Sequence, residues 1–327
     1  LDLGETRFFR VDIGEGVQLD AWEIRPPDFD ASKKYPVFYF VYGEPAGQTV
    51  LDRWGGTGYL WHQMLAQQGY VVISIDNRGT PGPRGRDWRK SIYGKIGIIA
   101  PVDQAAALRA LQERWPYLDR DRVGIWGWSG GGSMSLNAIF RYPELYHTAM
   151  AIAFVANQRF YDTIYQERYM GLPATNVDGF REGSPIHFAH QLEGDLLLVH
   201  GTGDDNCHYA GSEALVNELI RHDKQFDMQI YPNRTHSISQ GRNTRRPDIV
   251  LFVNGLPLVV IELKNPADAQ ATVKKAWQQL QTYQAQIPAL LQYSGIEVIS
   301  DGLEARYGTI SAGFQRFMRW PTLDGTT

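Results

Sequence analysis

Short, almost continuous apolar runs alternate with helical patterns along the first 240 or so residues. The runs "VFYFVY" (37–42), "YVVISID" (70–76) and "RVGIWGW" (122–128) have the length and composition of strands that are buried on both faces. Three later runs continue the series: "TAMAIAFV", "DLLLVHG" and "FDMQIYP". Strands of this kind that alternate with helices predict a doubly wound, mostly parallel α/β sheet.

The segments between these runs carry helical periodicity. In "VDQAAALRALQERW" (102–115) the apolar residues recur at spacings of three and four, and "YLWHQMLAQQ" (59–68) and "SEALVNELIRH" (212–222) are also typical of helices. Residues 8–25 alternate around a Gly-Glu-Gly turn, which predicts a leading β-hairpin.

The pattern changes near the end of the chain. "PDIVLFVNGLPLVVIELKNP" (247–266) contains two apolar runs around Asn254-Gly255, and "ATVKKAWQQLQTYQAQ" (271–286) is helical in pattern. A length of 327 residues predicts two domains or one large one. We therefore divide the chain into residues 1–244 and 245–327.

Composition narrows the classes of protein that are compatible with the sequence. The net charge of −4 and pI of about 6.1 argue against a generally nucleic-acid-binding surface. A single cysteine, Cys207, excludes an internal disulfide. The sequence shows no secretory leader and no apolar run of membrane-spanning length, and it leaves the compartment open: cytoplasmic, or periplasmic if an N-terminal leader was lost.

A candidate nucleophile follows the third predicted strand. "GWSGGG" (127–132) fits the pattern G-x-S-x-G between a strand and a helix. Glycines at these positions permit the strained turn that lifts Ser129 out of the sheet at a helix N-terminus. The alternative is a glycine-rich turn that holds an ordinary serine.

Two further residues complete the chemistry that a serine nucleophile needs. Asp204 and Asp205 follow one predicted strand, and His236 follows the next. A serine hydroxyl requires a base, and the base requires a carboxylate that holds its tautomer. The order of these residues along the chain therefore predicts a triad of Ser129, Asp204 and His236. The alternative is that His236 is an ordinary loop histidine and Asp204 a turn-forming residue.

Several segments together resemble the catalytic domain of the prolyl oligopeptidase family, in its dipeptidyl peptidase IV type. They are "KKYPVFYFVYGEP", "SIDNRG", "IWGWSGGG", "YDTIYQERYMGLP", "HGTGDDN" and "YPNRTH", spread from the start to about residue 244. The resemblance implies an α/β-hydrolase fold and a peptidase that needs no cofactor. It implies a nucleophile at Ser129, an acid at Asp204 and a base at His236, with a structural role for Asp205.

The same resemblance implies the groups around the nucleophile. The Tyr42 hydroxyl and the Gly130 N–H would bind the oxyanion, and Tyr42 is otherwise a core aromatic residue. The resemblance also assigns five residues to the substrate pocket: Tyr161, Tyr165, Val155, Asn206 and Cys207. Tyr161 and Tyr165 are four apart on a predicted helix, so the alternative is that they only pack that helix against its neighbours.

The sequence departs from this family in several places. "YGEPAG" replaces a more glycine-rich loop, Phe154 stands where proline is usual, and Ser237 follows the histidine where glycine is common. Nothing resembles the family's N-terminal β-propeller, so we do not assign exopeptidase specificity. The helix expected after His236 is replaced by the 247–266 pattern, which predicts a hydrolase sheet that lacks its last helix.

A second candidate site lies in the 247–266 pattern. Glu262 and Lys264 are two apart on a predicted strand and face the same way, with Ile261 and Leu263 predicted to face the core. A two-residue turn at Asn254-Gly255 would place Asp248 opposite Ile261. Because Pro257 disfavours that tight turn, we expect a longer loop or a bulge to set Asp248 opposite Glu262. The alternative is a solvated strand end.

"RRPDIVLFVNGLPLVVIELKNP", "QLQTYQAQIP" and "VISDGLEARYG" together resemble the nuclease domain of the type I restriction endonuclease R subunit, over about 246–325. This implies a partial restriction-endonuclease-like α/β segment of the PD-(D/E)xK type. It implies DNA as a partner and Mg²⁺ held by Asp248 and Glu262. The supporting residues would be Lys264, Gln279 and Tyr283.

Three functional hypotheses follow. The first is a serine peptidase that cleaves after proline or alanine through an acyl-enzyme. The second is a DNA-binding, Mg²⁺-dependent endonuclease module. The third is an inactive chimera that joins parts of both families near "NTRR". Three triad residues and a pocket favour the peptidase.

Overall fold

In the computed structural model the chain forms two units, Leu1–Ile238 and Ser239–Thr327. The structure describes residues 3–238, 248–253, 256–266, 270–286, 288–292 and 294–321. The predicted junction at "NTRR" lies outside the described residues. No helix within these ranges is long and apolar enough to cross a membrane.

An eight-stranded sheet forms the centre of the first unit. Its order is β1-β2-β4-β3-β5-β6-β7-β8. The six strands from β4 to the β8 edge run parallel to one another, and β2 pairs antiparallel with β4. The strands are β1 (Thr6–Asp12), β2 (Gln18–Ile24), β3 (Tyr35–Phe40), β4 (Val71–Asp76), β5 (Leu118–Trp128), β6 (Thr148–Ile152), β7 (Asp195–Gly201) and β8 (Asp227–Tyr231).

Helices connect these strands and cover the sheet. The helices are α1 (Gly56–Gln67), α2 (Arg86–Lys90), α3 (Ile99–Arg114), α4 (Gly130–Arg141), α5 (Thr163–Met170), α6 (Val177–Glu182) and α7 (Ala210–Arg221). The predicted mostly parallel α/β sheet is confirmed. The leading hairpin is also confirmed, since β1 and β2 pair antiparallel around a turn in which Gly14, Glu15 and Gly16 all have positive φ.

The two faces of the sheet are covered unequally. On one face, α3, α4 and α7 enclose a single core in which Val123 and Ile125 of β5 are each 1% exposed. On the opposite face of the same strand, Trp126 and Trp128 are only half-buried. Residues 232–238, which follow β8, form turns and no helix. The expected position of the last helix, from "RNTRR" (242–246) onward, lies outside the residues described after 238.

The second unit contains a five-stranded sheet in the order β13-β12-β11-β10-β9. Strands β10 and β11 are parallel, and α8 lies between them in the chain and packs on the sheet through Ala276, Leu280 and Tyr283. The elements are β9 (Ile249–Val253), β10 (Leu256–Leu263), α8 (Val273–Gln286), α9 (Pro288–Leu291), β11 (Ile296–Ser300), β12 (Ala305–Gly308) and β13 (Met318–Arg319).

The register between β9 and β10 contains the expected irregularity. Val253 pairs with Leu256, so the connection has two residues, Asn254 and Gly255, which lie outside the described residues. The register then shifts between Pro257 and Val259, and Ile261 pairs with Ile249. A bulge, rather than a longer loop, therefore brings Asp248 level with the next residue of β10, Glu262. Proline is tolerated here because a bulge interrupts the ladder.

One prediction about β10 is wrong. Leu263 is 43% exposed, whereas Glu262 is 3% exposed and Val260 is fully buried. Helix α8 packs on the face that carries Val260 and Glu262, so the alternate residues, including Leu263, lie on the other face.

Candidate active site

Ser129 sits at a strained turn between β5 and α4. Its backbone has φ 60° and ψ −120°, a conformation that residues with a side chain rarely adopt. A Cβ on Gly131 would lie 2.2 Å from the Val41 carbonyl oxygen, so the turn packs against β3 only if this position is glycine. The Ser129 N–H donates to the Ile152 carbonyl at 2.8 Å. The glycine spacing thus holds the serine above the sheet, at the start of a helix.

Asp204 and His236 meet at the carboxyl ends of β7 and β8. His236 Nδ1 lies 2.8 Å from Asp204 Oδ2. Asp204 is buried, and its Oδ1 accepts the backbone N–H groups of Asn206 and Cys207 at 2.9 Å each. The carboxylate is therefore fixed before any substrate binds. Because a carboxylate only accepts, His236 Nδ1 carries the proton, which leaves Nε2 free to act as a base.

His200, on β7, is a further member of this network that the sequence reasoning did not single out. Its Nε2 lies 3.1 Å from Asp204 Oδ2 and 2.7 Å from the Cys207 carbonyl oxygen, and its Nδ1 lies 2.6 Å from Ser212 Oγ. Burial lowers the pKa of His200, which keeps it neutral with the proton on Nε2. The sequence feature that could have identified His200 is its position at the end of the "LLLVHG" run, immediately before the loop that contains Asp204.

Ser129 is not hydrogen-bonded to His236 among the described contacts. Its Oγ lies 3.9 Å from Cys207 Sγ, while the indole N–H of Trp128 donates to the His236 carbonyl at 2.9 Å. Trp128, which precedes the proposed nucleophile, thus holds the loop of His236 by its backbone carbonyl. Catalytic hydrogen bonds are often long without substrate and tighten when the substrate is bound.

One of the two predicted oxyanion donors, the Gly130 N–H, directly follows Ser129 in the chain. Gly130 is the first residue of α4, so its N–H is one of those without an acceptor inside the helix. Tyr42 follows β3, and its ring packs against Gly47, where a Cβ would lie 2.8 Å from the ring. Burial, with Glu44 nearby, raises the pKa of Tyr42 and keeps its hydroxyl a donor at neutral pH.

Two of the predicted pocket residues, Tyr161 and Tyr165, are in direct contact. The rings of Tyr161 and Tyr165 meet edge to face with centroids 5.3 Å apart. The prediction that both tyrosines lie on one helix is wrong. Helix α5 begins at Thr163, and Tyr161 precedes it in extended backbone. The cause is Asp162, whose side chain accepts the Tyr165 N–H at 2.8 Å and caps the helix.

Cys207 and Val155 are buried, and Asn206 hydrogen-bonds the Tyr161 side chain. Burial raises the pKa of Cys207 to about 12, so its thiol remains neutral beside Ser129. The residue after Asp204, Asp205, is exposed. Val155 is held by a hydrogen bond from its N–H to Ser133 Oγ at 2.9 Å.

In the second unit, the predicted nuclease residues are close together. Tyr283 of α8 donates to Glu262 Oε2 at 2.9 Å, and Lys264 Nζ pairs with Glu262 Oε1. Gln279 hydrogen-bonds the Tyr283 hydroxyl. Burial, followed by the hydrogen bond to Glu262 and the charges of Glu262 and Asp248, raises the pKa of Tyr283. The hydroxyl therefore remains protonated and orients Glu262.

Two carboxylates and a lysine fit a divalent cation such as Mg²⁺, which binds through one or two protein carboxylates together with phosphate and water. Asp248 is fixed by the Leu263 N–H, which donates to its Oδ2 at 2.7 Å. Within the described residues no group of three or more His, Cys, Asp or Glu side chains is arranged so that it could hold a metal ion. Asp248 and Glu262 thus match a two-carboxylate site only.

Comparisons with known proteins match the two parts of the chain to two different families. A model described as the prolyl oligopeptidase family matches residues 59–250, and one described as the type I restriction enzyme R protein N terminus matches 224–316. The two matches overlap at residues 224–250. The second match begins within the described part of the first unit and includes Asp248, Glu262 and Tyr283.

Curated relatives and solved structures support the first match. Dipeptidyl peptidase 8 of Homo sapiens is 40% identical over 240 residues, 72% of this chain and 27% of that protein. A probable dipeptidyl-aminopeptidase B of Penicillium rubens is 37% identical over 229 residues, 68% of this chain and 25% of that protein. The crystal structure of Porphyromonas gingivalis dipeptidyl peptidase 4 superposes with a TM-score of 0.70 at 40% identity, covering 73% of this chain and 33% of that one. The chain spans about a quarter of the length of these curated relatives.

Proposed function

Because the chain belongs to the prolyl oligopeptidase family, we propose that it is a serine peptidase that acts through Ser129, Asp204 and His236. The hydrogen bond from His236 Nδ1 to the buried Asp204 carries the proposal, since it leaves His236 Nε2 as the base for a serine on a strained turn. The fold supplies all three side chains from the carboxyl ends of β5, β7 and β8.

The proposed reaction has two stages. Ser129 Oγ attacks the peptide carbonyl while its proton passes to His236 Nε2, and the carbonyl oxygen becomes an oxyanion bound by the Gly130 N–H and the Tyr42 hydroxyl. The C–N bond then breaks as His236 returns the proton to the leaving amine. Water repeats the sequence on the acyl-enzyme and restores Ser129. Asp204 stabilises the imidazolium in both stages.

We propose that cleavage follows proline or alanine, at a pocket formed by Tyr161, Tyr165, Val155, Asn206 and Cys207. A flat five-membered ring fits a slot between aromatic side chains, and the two tyrosine rings provide such walls. Asn206, which hydrogen-bonds Tyr161, would bind a substrate carbonyl. The names of the relatives support peptide substrates of the dipeptidyl type.

Labelling with a fluorophosphonate probe tests the peptidase proposal. The probe reacts only with a serine that is activated by a base and stabilised by oxyanion donors. We expect a single adduct, which mass spectrometry of the digested protein locates on the peptide that contains Ser129. A chain that is folded by circular dichroism and remains unlabelled contradicts the proposal.

A second candidate function rests on the cluster in the second unit. We propose that Asp248 and Glu262 hold Mg²⁺ and that DNA is the substrate of this unit. The bound cation would polarise a phosphodiester. Lys264 would stabilise the attacking water, and Gln279 and Tyr283 would keep Glu262 in position. The Tyr283–Glu262 hydrogen bond and the match of residues 224–316 support this proposal.

Replacing Glu262 by glutamine tests the metal proposal through the intact chain. We expect Mg²⁺ to raise the melting temperature of the unaltered protein, because a ligand that binds only the folded state stabilises it. Glu262→Gln should lose that rise and any Mg²⁺-dependent nicking of supercoiled DNA. The control is Glu304→Gln, a glutamate that pairs with Arg306 outside the cluster. Equal responses in the unaltered and Glu262→Gln proteins contradict the proposal.

A further inference from the structure

Glu44 is a buried carboxyl group next to the proposed nucleophile, and the triad chemistry does not use it. It lies in the loop after β3, two residues beyond Tyr42, in the "YGEPAG" segment that departs from the family pattern. The residue is 9% exposed. Glu44 Oε2 accepts a hydrogen bond from the Tyr165 hydroxyl at 2.8 Å.

The same carboxyl group touches the residue that carries an oxyanion donor. A Cβ on Gly130 would lie 2.8 Å from Glu44 Cδ and 2.9 Å from Glu44 Oε2. A side chain at position 130 would thus have to displace the Glu44 carboxyl group, which lies beside Gly130. The oxyanion of the proposed reaction would form beside the N–H of this same residue.

The groups that face Glu44 provide no positive charge. Its electrostatic neighbours are Tyr42 and Tyr161 in loops, Tyr165 on α5 and Cys207 after β7, and the charge of Glu44 raises the pKa of each of them. No Lys, Arg or His within the described ranges forms an ion pair with it. An ionised Glu44 would thus be an uncompensated anion in a buried site.

We propose that Glu44 is a positioning residue of the proposed acyl-transfer site that supports the reaction only while it is protonated, so that its ionisation sets the upper pH limit of activity. Protonated Glu44 is a neutral wall that holds the Tyr165 hydroxyl. Ionised Glu44 places a negative charge against Gly130, where it repels the developing oxyanion and opposes the two donors. The inference rests on the proposed peptidase function.

Glu44 changes its protonation state near neutral pH. Burial raises the pKa of Glu44 to about 7, while the hydrogen bond from Tyr165 acts in the opposite direction. The group is therefore mainly protonated below pH 7 and mainly ionised above it. Labelling should therefore fall as the pH rises and Glu44 ionises.

The rate of fluorophosphonate labelling from pH 5 to 10 tests the inference. For the unaltered chain we expect a falling limb at high pH that lowers the rate on the order of 10- to 100-fold by pH 9. Glu44→Gln, which has nearly the same shape and no charge at any pH, should lose that limb. Glu44→Ala is also uncharged and should lose the same limb.

The matched control is Glu297→Gln in the second unit. Glu297 is also a buried glutamate whose pKa burial raises, so its replacement controls for a general loss of a buried acid. This variant should retain the falling limb. A limb of unchanged depth and midpoint in both Glu44 variants overturns the inference and leaves the peptidase function intact.

Thermal unfolding supplies a readout that does not need catalysis. The folded-state pKa of Glu44 is raised, so its contribution to stability is fully present below its unfolded value of about 4.5 and is lost as the pH rises through about 7. The melting temperature of the unaltered chain should therefore fall relative to Glu44→Gln between pH 5 and 8. A constant difference overturns the inference. Absence of labelling in every protein at every pH overturns the peptidase function, and the inference with it.

Discussion

Replacing Ser129 by alanine is expected to lower peptide hydrolysis by about 10⁶-fold, which is the size of effect seen when a triad nucleophile is removed. Alanine cannot form the acyl-enzyme, so only oxyanion stabilisation and substrate binding would remain. The measurement is kcat/KM with chromogenic peptides that contain proline. Fluorophosphonate labelling should disappear at the same time.

Ser32→Ala is the matched control for this prediction. Ser32 lies in the exposed loop before β3, where its hydroxyl contacts Asp30. Both variants remove one hydroxyl group, and only Ser129 lies at the strained turn. Activity that survives in Ser129→Ala would show that another nucleophile is used. Loss of activity in both variants would point to a general effect on the preparation.

Replacing Asp204 by asparagine is expected to lower kcat by about 10⁴-fold, with little change in KM. The Oδ1 position accepts two backbone N–H groups, so the asparagine oxygen must stay there. The amide NH₂ then takes the place of Oδ2, facing His236 Nδ1 and His200 Nε2. His236 must turn its unprotonated nitrogen to that amide, and the proton moves to Nε2, where it blocks the base.

The neighbouring aspartate provides the control. Asp205→Asn makes the same chemical change one residue away, at an exposed position, and should keep kcat within about twofold, since exposed substitutions rarely matter. Equal activity of Asp204→Asn and the unaltered chain would contradict the proposed acid. A loss in Asp205→Asn as large as in Asp204→Asn would assign the role to the wrong residue of the pair.

Much of the first unit could be predicted because its signals are local. Buried parallel strands are apolar over five or six residues, and the apolar residues of the helices between them recur every three to four residues. Both patterns can therefore be recognised in the sequence. The triad was accessible for the same reason. Ser129, Asp204 and His236 each follow a strand, and parallel strands deliver their carboxyl ends to one edge of the sheet.

Spacing alone failed in two places, once because of a local helix cap and once because of a packing partner distant in the chain. Tyr161 and Tyr165 have helical spacing, yet the Asp162 cap starts the helix after Tyr161. The alternation in β10 allowed either face to be buried, and the packing of α8 selected the face with Glu262 over that with Leu263. Spacing defines which residues share a face, but only a packed partner defines which face is inside.

The sequence by itself determined the order of strands and helices, the strained serine turn, the residues proposed as a triad and the change of pattern after residue 244. It did so because propensity, periodicity and glycine conformation act within a few residues. Tertiary structure alone decided that His200 shares Asp204 with His236, that a bulge sets Asp248 beside Glu262, and that Glu44 lies buried against Gly130. Burial and charge depend on which distant segments meet, and that is a property of the folded chain.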